Sequence, residues 1–360
     1  MIGVYIHIPF CRTLCPYCDF VKRPLDAGQV PREFVQALCN EIASYDGPQN
    51  ADSVFIGGGT PSLLEPGDLA RILQSIQNRF GSNIPEITIE ANPDDITSEL
   101  VADWKEAGIN RVSLGVQSFD DRVLEYLGRR HGADGARRAC DAVAERFENW
   151  SLDLIFGARP LDAWTATLDE CQRLAPPHFS AYGLTFESNT PFGSRANEAI
   201  DDETFLKLCD EIKNRLATYR RYEISNYATP GYESQHNLHY WHNDEYAGFG
   251  PGAYSYVNGT RARNDSNLDR YLTKPGEKRE AFALSEEEQR VETIIQYLRL
   301  DTGLPRRDYE ARFGAPPEAH FGETIAALIK RGLIIAEGDS LRPTNKGFDL
   351  NNEIGLALVG

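Results

Sequence analysis

The apolar and polar positions of this chain change period repeatedly through its first half. Val4-Tyr5-Ile6-His7-Ile8 reads as a strand, and residues 31–45 as a helix. Ser53-Val54-Phe55-Ile56 predicts a second strand. The helix that follows, from about Asp68, places Leu69, Ile72, Leu73, Ile76 and Phe80 on one apolar face. Residues 86–90 are expected to be a strand, followed by a helix from Ser98 that stops at Gly108, a residue suited to a C-cap. Residues 111–116, 152–156 and 179–184 predict three further strands, separated by helical stretches.

Strands alternating with helices in this way predict right-handed βαβ units and a parallel sheet. The six strands fall short of the eight of a full barrel, so periodicity leaves an incomplete barrel and an open sheet as alternatives. Either one places function at the carboxyl ends of the strands. The texture changes near Tyr222. Residues 223–227 look like one more strand, residues 235–256 are rich in aromatics and glycine, and after Asn264 the pattern is mostly helical. Residues 292–298 lie in an amphipathic helix. A helix over 324–330, a strand over 332–335 and a turn at Glu337-Gly338-Asp339 into Leu341-Arg342-Pro343-Thr344 have the order of a winged helix.

Composition narrows the function classes. The formal net charge of −17 disfavours nucleic acid as a partner, because phosphate binding needs a basic stripe. Arg129-Arg130-His131 is too short to be that stripe, but suits a single anionic ligand. No run of about eighteen apolar residues is present to cross a membrane. Met1-Ile2-Gly3-Val4-Tyr5 does not read as a secretory signal, so a cytoplasmic location is expected. Of the seven cysteines, Cys39, Cys140, Cys171 and Cys209 are scattered and read as buried small apolar residues.

The other three, Cys11, Cys15 and Cys18, crowd one loop directly after the first strand. Thiolates suit soft iron, and three of them on a tight loop can hold three irons of a [4Fe–4S] cubane, leaving the fourth iron open. Zinc is the alternative; it needs a fourth ligand, for which His7 is the nearest candidate. Gly57-Gly58-Gly59-Thr60-Pro61 follows the second strand. It fits close backbone approach to an anionic ligand and equally a plain strand-to-helix connection. It is not a P-loop, since no Gly-Lys-Ser/Thr follows. Glu90, Gln117 and Asp153 recur at or near the ends of later strands, where several polar groups on one rim make a ligand site. In His236-Asn237-Leu238-His239-Tyr240-Trp241-His242 the histidines stand at i, i+3 spacing on a helix. That spacing fits a haem contact, and also a capped helix with aromatic packing.

Together these motifs resemble the oxygen-independent coproporphyrinogen III oxidase family of radical SAM (S-adenosylmethionine) proteins. The resemblance runs over nearly the whole chain, through the cysteine loop, residues 57–62 and 87–90, Val112-Ser113-Leu114-Gly115-Val116-Gln117-Ser118-Phe119, residues 127–131 and residues 153–157. Three features are similar to the HemW-type haem-chaperone branch. The loop ends Cys18-Asp19-Phe20 without the oxidase's further cysteine. It begins a few residues into the chain, without the oxidase's long N-terminal arm. Residues 222–228 and His236-Asn237-x-x-Tyr240-Trp241 match that branch's signatures.

The resemblance implies an incomplete (β/α)6 barrel over residues 1–232, a connecting segment over 233–265, and a mainly helical, winged-helix-like C-terminal domain over 266–360. It implies Cys11, Cys15 and Cys18 as cluster ligands. It further implies Tyr5, Tyr17, Gly58, Gly59, Thr60, Glu90, Gln117, Arg129 and Asp153 around an exchangeable SAM, and His236 as a candidate haem contact. The implied function is a carrier without coproporphyrinogen oxidase activity. It binds haem as cargo and hands it to an acceptor protein such as a respiratory haem enzyme, meeting a membrane only through that partner. A radical SAM oxidoreductase acting on a porphyrinogen is the alternative. The chain departs from the pattern at two places. Ala158-Arg159-Pro160-Leu161 stands where the family has Leu-Pro-Gly-Gln, and Tyr254 where a histidine is usual.

Overall fold

The computed structural model describes residues 1–25 and 28–359. Six strands form the parallel core: β1 (Ile2–Ile8), β2 (Ala51–Gly58), β3 (Glu86–Ala91), β4 (Arg111–Gln117), β5 (Trp150–Phe156) and β6 (His178–Gly183). They lie side by side in chain order, and each neighbouring pair is parallel. The crossovers are α1 (Arg32–Ser44), α2 (Pro66–Phe80), α3 (Ser98–Ala107), the pair α4 (Asp121–Tyr126) and α5 (Ala133–Ala144), and α6 (Ala163–Leu174). Helix α3 ends as its sequence predicts: Gly108 takes the left-handed conformation at φ 101° and its N–H bonds back into the last turn.

Alternation along the strands decides which way each side chain points. Val4, Ile6, Val54, Ile56, Val112, Leu114, Leu152 and Leu154 are fully buried, in one core with the apolar faces of the helices. The opposite face carries Tyr5, Phe55, Glu90, Arg111, Ser113, Asp153, His178 and Ser180. Parallel strands covered on both faces are normally apolar throughout. Here the inner face is polar because it lines a cavity of about 640 Å³.

The sheet continues past this core. After α7 (Asp202–Arg215), β7 (Asn226–Ala228) runs antiparallel beside β6. Helix α8 (Gln235–Trp241) leads to β8 (Tyr246–Phe249), which pairs parallel with the free side of β1. Strands β9 (Tyr254–Val257), β10 (Thr260–Asn264) and, after α9 (Leu268–Thr273), β11 (Lys278–Ala283) add antiparallel in turn. Among the described residues the sheet ends at β11 on one side and at Arg220–Arg221 on the other, so the barrel is incomplete. Two local expectations are corrected. Of the predicted 223–227 strand only residues 226 and 227 lie in a strand, which runs on to Ala228, and residues 278–283 form a strand where the pattern was mostly helical. Strand β11 is exposed along its whole length, so no alternation marked it.

Helices α10 (Glu286–Tyr297), α11 (Arg306–Phe313) and α12 (Pro317–Lys330) pack with a small sheet of β12 (Leu304–Pro305), β13 (Ile334–Glu337) and β14 (Ser340–Pro343) in the order β12-β14-β13. Ile294, Leu298, Leu304, Ile325, Leu328 and Leu341 form their separate core, in the winged-helix arrangement. This unit is tied to the sheet through a bridge between Glu223 and Leu300 and ion pairs of Arg220 with Asp301 and Arg221 with Asp349. No helix among the described residues is long and apolar enough to cross a membrane.

Candidate functional site

The cysteine loop leaves the carboxyl end of β1 and is closed by a short parallel ladder, in which Phe10 and Cys11 pair with Arg23 and Pro24. Within it the Cys18 N–H donates to the Cys15 carbonyl oxygen at 3.3 Å. Cys11, Cys15 and Cys18 are unbonded to any other cysteine and all face the central cavity. Arg129 Nη1 donates to Cys15 Sγ at 3.5 Å. Gly59 lies so close beneath the loop that a Cβ there would come within 2.7 Å of the Phe10 carbonyl oxygen. Among the described residues no three His, Cys, Asp or Glu side chains are grouped tightly enough to hold a single metal ion. A four-iron cubane takes its thiolates on separate irons and does not need them to converge. Both nitrogens of His7, the candidate fourth zinc ligand, are already engaged, by Tyr5 OH at 2.9 Å and the Val21 carbonyl at 2.7 Å. The residues present therefore fit a [4Fe–4S] cluster better than zinc.

The nine residues expected around SAM all line this cavity. Gly58 takes a positive φ of 109° and its N–H donates to Glu90 Oε2 at 3.0 Å, which fixes that carboxylate under the glycine turn. Burial and the neighbouring Asp153 push Glu90 up to about 8. Asp153 accepts from Ser113 Oγ at 2.9 Å and Ser180 Oγ at 2.8 Å. Burial raises it as well, against the pull of those two hydroxyls. Gln117, at the last position of β4, is held at φ 67°, a left-handed conformation that costs a non-glycine residue energy and is concentrated at functional sites. Its amide and the Arg129 guanidinium both lie over Gly115. Arg129 Nη2 donates to Asn92 Oδ1 at 2.6 Å and to the Gly115 carbonyl at 2.8 Å, and Asn92 Nδ2 donates to Thr60 Oγ1 at 3.2 Å. Tyr17 stands beside Arg129, its hydroxyl pushed up by burial and pulled back by that guanidinium.

His236 lines the same cavity from its other end, where α8 packs across the first residues of β1 and β2. Glu86 caps the start of that helix by accepting from the N–H groups of Gln235 and His236. His236 is 1 % exposed; its Nδ1 is 3.0 Å from Ser53 Oγ and its Nε2 is 2.9 Å from Tyr240 OH. Burial draws the imidazole down to about 3, so it is neutral. With both nitrogens engaged, it would have to give up one of these bonds to contact haem iron. His239 is bound to Asp52 at 2.6 Å, and Tyr254 is exposed on β9. Cys39, Cys140, Cys171 and Cys209 are buried and unpaired, as expected of small apolar residues.

Sequence reasoning missed several groups that line the cavity: Phe55, Asn92, Arg111, Ser113, His178, Ser180, Tyr182 and Tyr240. A signal for them exists. Arg111-x-Ser113-x-Gly115-x-Gln117 and His178-x-Ser180-x-Tyr182 repeat polar or small residues with period two inside apolar strands, which marks an inward polar face.

Comparison with known proteins gives the family. Residues 5–171 match the radical SAM superfamily, and residues 284–350 match the HemN C-terminal domain. The heme chaperone HemW of Bacillus subtilis (strain 168) is 33 % identical over 378 residues, covering 100 % of both chains. The heme chaperone HemW of Escherichia coli (strain K12) is 40 % identical over 266 residues, 71 % of this chain and 70 % of that one. Among solved structures, coproporphyrinogen III oxidase (HemN) from Escherichia coli superposes with a TM-score of 0.85 at 22 % identity, over 99 % of this chain and 89 % of its own.

Proposed function

The chain belongs to the HemW heme-chaperone family within the radical SAM superfamily, and on that premise we propose that it binds haem and transfers it to an acceptor protein. The superfamily implies a [4Fe–4S] cluster and SAM. In this reading Cys11, Cys15 and Cys18 hold the cluster. Tyr5, Tyr17, Gly58, Gly59, Thr60, Glu90, Gln117, Arg129 and Asp153 receive an exchangeable SAM. When bound, the pair supplies one-electron chemistry to the cavity. Arg129 supports the assignment most directly, because it touches Cys15, Asn92 and Gly115 at once and so joins the cysteine loop to the polar wall of the barrel. Its charge is available to a carboxylate while it steadies a thiolate.

The observation that carries the haem reading is the match to relatives named heme chaperone along the full chain. The cysteine loop adds to it: Cys18 is followed by Asp19 and Phe20, with no fourth cysteine two residues on. His236 enters as a haem contact only if Tyr240 releases its Nε2. The acceptor is expected to be a haem-dependent enzyme, with any membrane contact made by that partner, and nucleic acid is not a partner. The residue groups 1–232, 233–265 and 266–360 are proposed as barrel, connecting segment and C-terminal domain, with β8 to β11 continuing the sheet from one to the next.

Anaerobic reconstitution separates this reading from an oxidase. Haem binding is followed by absorbance, together with 5′-deoxyadenosine release from SAM and the turnover of coproporphyrinogen III. A haem spectrum at stoichiometric haem, without porphyrinogen consumption, is expected. Turnover without stable haem binding would reverse the assignment.

A further inference from the structure

At the amino ends of the barrel strands most buried polar side chains among the described residues are paired, and the charged one that is not is Arg111. Ser53 and Tyr240 hold His236, and the first N–H groups of α8 hold Glu86. Ser151 Oγ and Tyr222 OH hold the two nitrogens of His178, at 2.7 and 2.9 Å. Arg111, the first residue of β4, is 2 % exposed, and its Nε is buried without a hydrogen-bond partner among the described residues. Among the described residues no carboxylate oxygen lies within 4.0 Å of it. The two acidic groups above it are committed elsewhere, Glu90 to the Gly58 N–H and Asp153 to Ser113 and Ser180. An unpaired guanidinium in the interior is costly. This one lines the central cavity. It stands about 20 Å of strand from Gln117 at the cysteine-loop end, taking about 3.3 Å per residue.

We propose that Arg111 is the seat of a ligand carboxylate at the floor of the barrel, a second anion subsite at the opposite end of the cavity from Arg129. The ligand enters past the cysteine loop, and its body lies against the aromatic and apolar wall that Tyr5, Phe55 and Ile155 contribute. A planar guanidinium with its donors free matches a carboxylate in a two-point fit. The source of such a group in this cavity is a propionate of the tetrapyrrole cargo, which rests on the haem reading above; the SAM carboxylate belongs beside Arg129 at the cysteine-loop end, and SAM serves as the control.

The test compares each acid with its neutral counterpart on the cluster-reconstituted full chain. Dissociation constants are measured for haem and haem dimethyl ester, and for SAM and decarboxylated SAM, with the wild type and with Arg111→Gln. The readout is the preference for the acid. Substitution should reduce it tenfold or more for haem and leave the SAM pair unchanged. A haem preference unchanged by Arg111→Gln, in a variant with wild-type melting and near-ultraviolet dichroism, would overturn the proposal and leave Arg111 as a counter-charge to Glu90 and Asp153. If the wild type binds no haem, the carrier reading fails on its own. Coproporphyrin III and its tetramethyl ester then decide for Arg111: a lost preference supports the seat and an unchanged one overturns it. Should Arg111→Gln not fold, Arg111→Lys replaces it. Its single ammonium lacks the two-point fit, so the preference should fall severalfold, and an unchanged preference would again overturn the proposal.

Discussion

His7 Nε2 lies 2.7 Å from the Val21 carbonyl oxygen and ties the far end of the cysteine loop back to the first strand. A carbonyl only accepts, so Nε2 carries the proton, and Nδ1 is left to accept from Tyr5 OH at 2.9 Å. Burial lowers the imidazole, in keeping with this neutral form. His7→Phe leaves a buried carbonyl and a buried hydroxyl without partners, a loss of about 1–3 kcal/mol for each unsatisfied group. The variant should melt earlier and take up less iron per chain on reconstitution. Wild-type iron content together with an unshifted melt would remove His7 from any role in holding the loop.

The same imidazole makes Gly58 hard to replace. A Cβ at Gly58 would fall 2.5 Å from the ring, on a backbone already at φ 109°. Gly58→Ala therefore combines a steric clash with left-handed strain of about 1–2 kcal/mol. It also moves the N–H that holds Glu90. SAM affinity should fall at least about tenfold, with a lower denaturation midpoint. Gly67→Ala is the contrast, since nothing lies within 4 Å of its added methyl, and alanine stabilises a helix by roughly 0.5–1 kcal/mol over glycine. Equal effects from the two substitutions would contradict this account.

What could be read in the sequence follows from which interactions are local. Strands β1 to β6 were legible because Val4, Val54, Val112 and Leu152 alternate with inward residues along single segments. Strands β8 to β11 were not. Tyr246-Ala247-Gly248-Phe249 is short and contains glycine, its partner β1 lies more than two hundred residues away, and β11 has no buried face to leave a pattern. The cysteine loop and the Gly58 turn were legible as motifs. The bonds that make them a site were not, because Arg129 meets Asn92 and Cys15 only through the closing of the barrel.

Arg129 yields a sharper separation of roles. Arg129→Met removes the donors to Cys15, Asn92 and Gly115 but none of the three thiols. The variant should still bind iron, while SAM binding weakens by about tenfold or more, as expected when a charge-assisted hydrogen bond worth about 1.5–3 kcal/mol is lost. Arg129→Lys should recover only part of this, because one ammonium cannot serve Asn92, Gly115 and a ligand together. Absorbance of the reconstituted cluster and equilibrium dialysis of SAM measure the two quantities separately. Loss of iron in step with loss of SAM would mean that Arg129 serves the loop and not the ligand.

Glu90 ties stability to pH in the cluster-free chain. Burial and the nearby Asp153 carboxylate hold its proton in the folded state up to about 8, whereas an unfolded glutamate releases it near 4.5. Between those values the folded chain binds more protons than the unfolded one, so its stability is fully present below about 4.5 and declines as pH rises through 8. Each unit of difference is worth about 1.4 kcal/mol. Glu90→Gln has no proton to lose there and should give a flatter curve of unfolding free energy against pH. The variant keeps an acceptor oxygen for the Gly58 N–H and relieves the repulsion on Asp153, so the two curves should draw together or cross towards pH 8. Chemical denaturation of both chains, anaerobic and metal-free, across pH 5 to 9 measures the difference. A wild-type curve that falls no faster than that of Glu90→Gln would show that Glu90 is already ionised in the folded cavity, with the Arg111 charge outweighing burial.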